Sequence, residues 1–396
     1  MKKIRVAHVI TNIDGSGGVK NTLLTCAGLD PLRYEIDLIV GSQCDRSRIQ
    51  GLDVTLIQIP TMRSPFHPFF DALAARDLLK LFRQRQYHIV HTHFGKAGVL
   101  GRWAAHRAQT PILVHGLHGA TFNPAQPLLV NMVDRLAERT VTRWTDVVIS
   151  VGEDLRQRYL NAGVGYPEQY VIIHSGMDLS AYQKAAALDD HARMAVRRSL
   201  GLHEDAFVAG CIANLEHRKG HRHLIRLMAQ LAPHYPNLHL ILAGEGPEKP
   251  HLQALVRRAK LTDRIHFLGY RQDVPEIMAA MNVKLFASER EGLAQVLVQA
   301  DAVGLPILAF EVEGARETIR EGVNGYIFPQ GDIAGMAHSL AKFIEHPKLA
   351  KRMGQAGRAL VDKRWEISTM QQKTQALYES LLTKKGIVTP PPQAVL

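Results

Sequence analysis

Residues Ser288 to Pro306 read Ser-Glu-Arg-Glu-Gly-Leu-Ala-Gln-Val-Leu-Val-Gln-Ala-Asp-Ala-Val-Gly-Leu-Pro, placing a carboxylate, a glycine turn and a helix start in immediate succession. Leu285 and Phe286 end a short apolar run before it. Gly292 allows a sharp turn, and Leu293, Val296, Leu297 and Ala300 then recur at helical spacing until Gly304 and Pro306 stop the helix. The first amides of a helix lack intrahelical partners and sit at the positive end of its dipole. The backbone at Gly292, Leu293, Ala294 and Gln295 therefore suits an anion such as a phosphate. Glu291, just ahead of the turn, can accept hydrogen bonds from sugar hydroxyls beside that phosphate.

The same alternation of apolar run, loop and helix extends through the chain. Ile4 to Thr11, Glu35 to Val40, Val54 to Ile59, Ile89 to Thr92, Ile112 to His115 and Val147 to Val151 predict strands separated by helices. Phe207 to Ala213, His239 to Ala243, Ile265 to Leu268, Val283 to Phe286 and Ile307 to Phe310 repeat the theme. Two parallel, doubly wound α/β domains follow, 1–180 and 206–364. The polar, alanine-rich stretch 181–205 carries no strong β signal and is expected to connect them across a cleft. Trp365 to Leu382 has an amphipathic pattern, which predicts a helix within 365–385, and the proline-rich 386–396 is expected to be disordered.

At 396 residues and 46% hydrophobic content, the chain has room for two sizeable cores. Cys26, Cys44 and Cys211 are odd in number and widely spaced, which argues for reduced thiols and a cytoplasmic setting. No run of 18 uncharged apolar residues appears, so no spanning helix is expected. A formal net charge of +11 suits nucleic acid, acidic substrates or an anionic membrane. Zinc-finger spacing, a basic run before heptads and aromatic ribonucleoprotein motifs are all missing, so a membrane surface is favoured over nucleic acid. Phe66, Phe69 and Phe70, with Arg102, Trp103, Arg135, Arg139 and Arg143, would form it if they share one face, core packing being the commoner role for such scattered residues.

The loops after the strands carry the remaining chemistry. Gly15, Gly17 and Gly18 precede an apolar helical run and free the backbone for a close approach. His91-Thr92-His93-Phe94-Gly95-Lys96 and His115-Gly116-Leu117-His118-Gly119 stand at carboxyl ends of strands, where parallel sheets place ligands. The His-x-His pair invites a metal, but no cysteine or carboxylate lies near it in sequence to complete a ligand set, and none is assigned. A neutral imidazole at His115 or His118 can accept from a hydroxyl or donate to one. In Asn214-Leu215-Glu216-His217-Arg218-Lys219-Gly220, Lys219 sits near a helix start, where an ammonium and helix amides stabilise a departing diphosphate. Gly244-Glu245-Gly246-Pro247 and Gly269-Tyr270-Arg271 close two further strands, and Asp273 is expected to cap the next helix.

Taken together these stretches resemble the family-4 glycosyltransferases, retaining sugar transferases with the GT-B fold. The segment from Glu291 resembles that family's signature of two glutamates separated by seven residues, with Gln299 where the second is usual. The resemblance implies that Glu291 touches the donor sugar and that Gln299 faces the nucleotide ribose. An amide there accepts from hydroxyls without charge. Lys219 and Arg218 would meet the diphosphate, Asn214 replaces a usual arginine, and Gly244, Gly246, Tyr270 and Arg271 would line the nucleotide pocket. Gly17 and Gly18 border the active site in such enzymes, His118 meets the donor sugar, and His93, Lys96 and His115 shape the acceptor side. The last helix of the fold returns to the first domain.

The expected activity is transfer of a sugar from a UDP- or GDP-sugar to a hydroxyl of a saccharide or lipid-linked saccharide, in polysaccharide or lipopolysaccharide synthesis. No cofactor or essential metal is expected, because lysine and helix amides supply the positive charge. A glycosidase would need a second carboxylate paired with Glu291. The rival readings are a nucleotide-sugar epimerase of the same fold and a sugar-nucleotide-binding subunit without turnover.

Overall fold

The computed structural model describes residues 3–64, 66–122 and 126–387, so the expected tail from 388 onward lies outside the described residues. The chain divides into two compact units, Met1–Met177 with Arg364–Leu396, and Asp178–Lys363.

The first unit is built on seven parallel strands: β1 (Ile4–Ile13), β2 (Tyr34–Cys44), β3 (Thr55–Gln58), β4 (Ile89–His93), β5 (Ile112–Leu117), β6 (Val147–Ser150) and β7 (Tyr170–Ile172). Their order is β3-β2-β1-β4-β5-β6-β7. The sequence of strands reverses between β1 and β4, and there the loops leaving the two carboxyl ends part to opposite sides and open a crevice. The central strands are buried on both faces, as largely apolar runs such as Val6 to Ile10, broken only by His8, require. The final helix, Ile367–Lys384, buries Met370, Tyr378, Leu381 and Leu382 in this unit's core. Met177 and Trp365, beside the two points where the chain leaves and re-enters the unit, share a 2.8 Å backbone hydrogen bond.

The second unit has six parallel strands: β8 (Phe207–Ile212), β9 (Leu238–Ala243), β10 (Ile265–Gly269), β11 (Val283–Phe286), β12 (Ile307–Phe310) and β13 (Gly325–Phe328). Their order is β10-β9-β8-β11-β12-β13, with the reversal between β8 and β11. The stretch expected to be a connector, 181–205, instead forms most of the helices Ser180–Ala186 and Asp190–Ser199. Its Ala185 and Leu202 are buried in this unit's core. Frequent alanines with Val196 as the one β-branched residue suit short packed helices, so the low β signal marked helix rather than linker.

β7 and β13 were not anticipated. They are three and four residues long and lie at sheet edges, too short for a periodic signal. The helix after Glu291 spans Gln295–Val303 and ends at Gly304, whose φ of 91° lies in the left-handed region. Gly292 does not adopt a positive φ. Gly314, beside it, does, at 78°, and a Cβ there would come within 3.3 Å of the Gly292 carbonyl oxygen.

Candidate active site

In the second unit the reversal point brings together two loops far apart in sequence, Asn214–Gly220 after β8 and Ser288–Ala294 after β11. Gly220 makes the join possible. Its φ is 67°, and a Cβ would sit 2.0 Å from the Ala287 carbonyl oxygen, so only glycine lets the backbones touch. The Glu289 amide donates to the Arg218 carbonyl at 2.8 Å, and the Arg222 guanidinium pairs with the Glu289 carboxylate.

This clasp sets the Lys219 ammonium 2.5 Å from the Glu291 carboxylate, with the two side chains 15% and 13% exposed. Arg218 Nη1 lies 3.8 Å from the other Glu291 oxygen while its Nε donates to Glu216 at 2.8 Å. One carboxylate thus faces two cations, beside the start of the helix His221–Leu231 and the start of Gln295–Val303. A ligand phosphate can take over Lys219 and Arg218, and that exchange frees Glu291 for neutral hydroxyls.

The other expected donor residues surround this point unevenly. Gly292, Leu293 and Gln295 are half-buried and Ala294 is buried, leading into the helix on which Gln299 lies half-buried two turns on. Gly244 and Gly246 have φ of 145° and 159°, and side chains there would strike the carbonyl oxygens of Ala213 and Leu215. They therefore fix the loop that follows β8 from behind. Asn214 reaches Glu216 at 3.4 Å, and Tyr270 is exposed. Asp273 occupies the N-cap position of Val274–Ala279 but makes no side-chain cap. Its carboxylate binds Arg271 at 2.6 and 2.8 Å, which holds its pKa below the usual range. A bidentate guanidinium outcompetes a single backbone amide for the same oxygens.

In the first unit the reversal point gathers histidines. His118 Nε2 lies 3.0 Å from His93 Nδ1, and His93 Nε2 lies 3.0 Å from His8 Nδ1. His8 Nε2 is 3.4 Å from the Tyr378 hydroxyl, which meets His91 Nδ1 at 2.6 Å. Four imidazoles and a phenol so form one hydrogen-bonded chain. Burial pushes His8 down to about 3 and His118 to about 4, and lowers His91, His93 and His115 well below the ordinary value. Every ring is neutral at pH 7, each able to donate through one nitrogen and accept through the other. Ring nitrogens of His8, His91 and His93 also lie within 4.8 Å of one another, so His8 supplies a third potential metal ligand that sequence proximity did not reveal. The 3.0 Å spacing of His8 and His93 is that of a shared proton.

Gly18 stands against this chain. A Cβ there would lie 2.6 Å from the Phe94 ring and 2.9 Å from His118, so the glycine lets both rings close on the helix Gly17–Ala27. Phe94 itself is held at φ 62°, a strained value for a side chain of its size. His115 is interior, bonded to Thr92 Oγ1 at 2.9 Å. The Lys96 ammonium is bound by the Arg63 carbonyl at 2.6 Å and Asp71 at 2.7 Å, tying the starts of two helices together. Sequence reading missed Tyr378, 287 residues from its partner His91, because nothing local marks a helix that closes on a distant sheet. Lys284 was missed too. It is fully buried at the centre of the second sheet, with Nζ lacking a hydrogen-bond partner.

Comparison with known proteins agrees with this architecture. A family model described as glycosyl transferases group 1 matches residues 193–360, and one described as a glycosyl transferase 4-like domain matches 16–176. The putative glycosyltransferase EpsD of Bacillus subtilis (strain 168) is 29% identical over 320 residues, 79% of this chain and 82% of that protein. An Escherichia coli UDP-Gal:alpha-D-GlcNAc-diphosphoundecaprenol alpha-1,3-galactosyltransferase is 24% identical over 386 residues, 97% of this chain and 98% of the relative. Among solved structures, Anabaena HepE in complex with UDP superposes with a TM-score of 0.79 at 22% identity, covering 96% of this chain and all of HepE. Two parallel α/β units, a lysine and glutamate joined at the second reversal point, and matches across both halves make this chain a member of the family-4 glycosyltransferases of the GT-B fold.

Proposed function

We propose that the protein transfers a sugar from a nucleoside-diphosphate donor, a UDP-sugar before a GDP-sugar, to a hydroxyl of a saccharide or lipid-linked saccharide. The product is a cell-surface polysaccharide or lipopolysaccharide intermediate, and the anomeric configuration is retained. The observation that carries this is the contact of Lys219 with Glu291 beside two helix starts, which offers cations for a diphosphate and a carboxylate for sugar hydroxyls within one ion pair. The names of the E. coli relative and of HepE, bound to UDP or UDP-glucose, support the choice of donor.

In the proposed step the acceptor oxygen bonds to the anomeric carbon as the bond from that carbon to the phosphate oxygen breaks. The acceptor proton passes to the leaving phosphate, so no protein base is needed. Lys219, Arg218 and the helix amides offset the charge that develops on the diphosphate, and on this ground no essential metal is assigned. In the first unit the neutral His118 ring is the group offered to a sugar hydroxyl. Three free cysteines and the lipid-linked substrate named for the E. coli relative support a place on the cytoplasmic side of the membrane. Among the described residues no helix is long and apolar enough to cross it.

Nucleotide release with mixed UDP- and GDP-sugars and a lipid extract tests the reading. Release that depends on acceptor is expected, and Gln299→Glu should keep or raise it. Donor conversion without acceptor would indicate an epimerase. Nucleotide binding with no turnover would indicate a binding subunit.

A further inference from the structure

The helix Leu128–Thr142 is built inside out. Its outward side chains Leu128, Leu129, Val130, Met132, Val133 and Leu136 are exposed, from 45% at Val130 to 89% at Leu128. Its buried side chains include Asn131, Glu138 and Thr142, and Glu138 pairs with a fully buried Arg102 at 2.6 Å. Water-facing helices carry the opposite pattern. Isolated exposed apolar residues need no explanation, but six on one helix form a contiguous patch, which marks a binding surface.

Charge says what covers it. Arg135 and Arg139 on this helix and Arg143 at its C-cap are exposed, the Arg139 guanidinium also donating to the Ala162 carbonyl, whereas Asp134 is half-buried, bonded to Gln126 at 3.3 Å, and Glu138 is buried. An aliphatic ridge whose exposed charged residues on its own helix and C-cap are arginines complements the headgroup and acyl boundary of an anionic bilayer. A second patch belongs to the same rim. Phe66 and Phe69 are 71% and 63% exposed at the start of the helix Pro68–Arg85, and Lys96 lies 5.7 Å from the Phe66 ring. Lys96 begins the neighbouring helix Gly95–Arg107, whose Gly95 rests against the Thr121 methyl group just before Leu128. All three helices start from the carboxyl-end rim of the first sheet.

We propose that this ridge inserts into the interface of an anionic phospholipid bilayer, with Leu129, Met132 and Leu136 as the inserted side chains and Phe66 and Phe69 as the aromatic flank. The surface differs from the one expected from sequence, since Arg102 is interior and paired. The proposal is independent of the donor chemistry.

The test is co-sedimentation of the full chain with vesicles of phosphatidylethanolamine and phosphatidylglycerol at 3:1, against phosphatidylcholine alone. Wild type should bind the anionic vesicles at 150 mM salt, and the triple variant Leu129→Glu, Met132→Glu, Leu136→Glu should bind at least 10-fold more weakly. UDP should raise the melting temperature of both proteins equally, showing that the variant is folded and its donor site intact. Arg135→Glu with Arg143→Glu should weaken binding most at low salt. Equal binding by wild type and the triple variant, or no binding by wild type, would overturn the proposal. So would a wild-type dimer that the triple variant abolishes without any vesicle binding, since the ridge would then serve a second copy.

Discussion

Lys219 Nζ and Glu291 Oε1 lie 2.5 Å apart although 72 residues separate them, because their loops leave neighbouring strands β8 and β11 where the strand order reverses. Glu291 thus neutralises the cation in the free protein and must yield it to a diphosphate. Glu291→Ala should lower kcat by about 100-fold through loss of a charged hydrogen-bond acceptor near the reacting sugar. Affinity for free UDP should hold or tighten, because Lys219 loses its competitor. Steady-state kinetics together with UDP titration checks this, and a drop in UDP affinity equal to the drop in kcat would contradict it.

Gly220 is the hinge of the clasp, and its replacement is expected to be costly. Gly220→Ala adds a Cβ 2.0 Å from the Ala287 oxygen and puts alanine at φ 67°, which together should destabilise the second unit by more than about 2 kcal/mol. Gly201→Ala is the control, with φ 72° and nothing within 4 Å of the new carbon, and should cost about 1 kcal/mol. Urea denaturation followed by circular dichroism distinguishes them, and equal costs would mean that the loops can part freely.

Lys284 works against stability. Burial lowers its pKa to about 8, the nearby Cys211 raises it in part, and Lys219 adds repulsion. The unfolded chain holds this proton up to about pH 10.4, so between the two values the folded state binds fewer protons. The penalty is full below about pH 8 and fades as pH rises towards 10.4. Lys284→Met should therefore stabilise the second unit by roughly 3 kcal/mol at pH 7, at about 1.4 kcal/mol per pKa unit, and by little at pH 10.5. Denaturation midpoints at the two pH values check this. A loss of stability at pH 7 would show that the ammonium is satisfied.

The buried histidines predict acid sensitivity in the first unit. His8 and His118 are depressed to about 3 and about 4 by burial, and His91, His93 and His115 are lowered too, so the folded rings stay neutral where unfolded ones titrate near 6.5. As pH falls below about 6.5 the unfolded state takes up protons that the folded state refuses, and stability drops. At pH 5.5 the loss should be about 1 kcal/mol for each ring. Trp103, Trp144 and Trp365, the chain's three tryptophans, all lie in this unit, so their fluorescence reports it alone. Equal midpoints at pH 7 and 5.5 would contradict the account.

Eleven of the thirteen strands among the described residues were legible because largely apolar runs such as Ile36 to Val40, broken only by Asp37, and Leu238 to Leu242, broken only by His239, announce buried parallel strands by composition. Glu291 and Lys219 were legible as loop residues at strand ends. Their contact was not, since it depends on which strands are neighbours, and strand order is carried by tertiary packing. The outward face of Leu128–Thr142 was hidden for a related reason. Its pattern is amphipathic, and without knowing which side meets the sheet an amphipathic helix is read with its leucines inward. The exposed leucines and the buried Arg102–Glu138 pair together reveal the inversion. Lys284 lies in a strand whose apolar neighbours hide it, and nothing local says that a lysine there has no route to water.

The central claim is that a diphosphate is gripped by Lys219 at the second unit's reversal point. Thermal shift with UDP, GDP and uridine, on wild type and Lys219→Ala, tests it most directly. The account predicts that UDP or GDP raises the wild-type melting temperature by several degrees, that uridine barely moves it, and that Lys219→Ala loses most of the diphosphate effect. Equal shifts by uridine and UDP, or an unchanged diphosphate shift in Lys219→Ala, would contradict it.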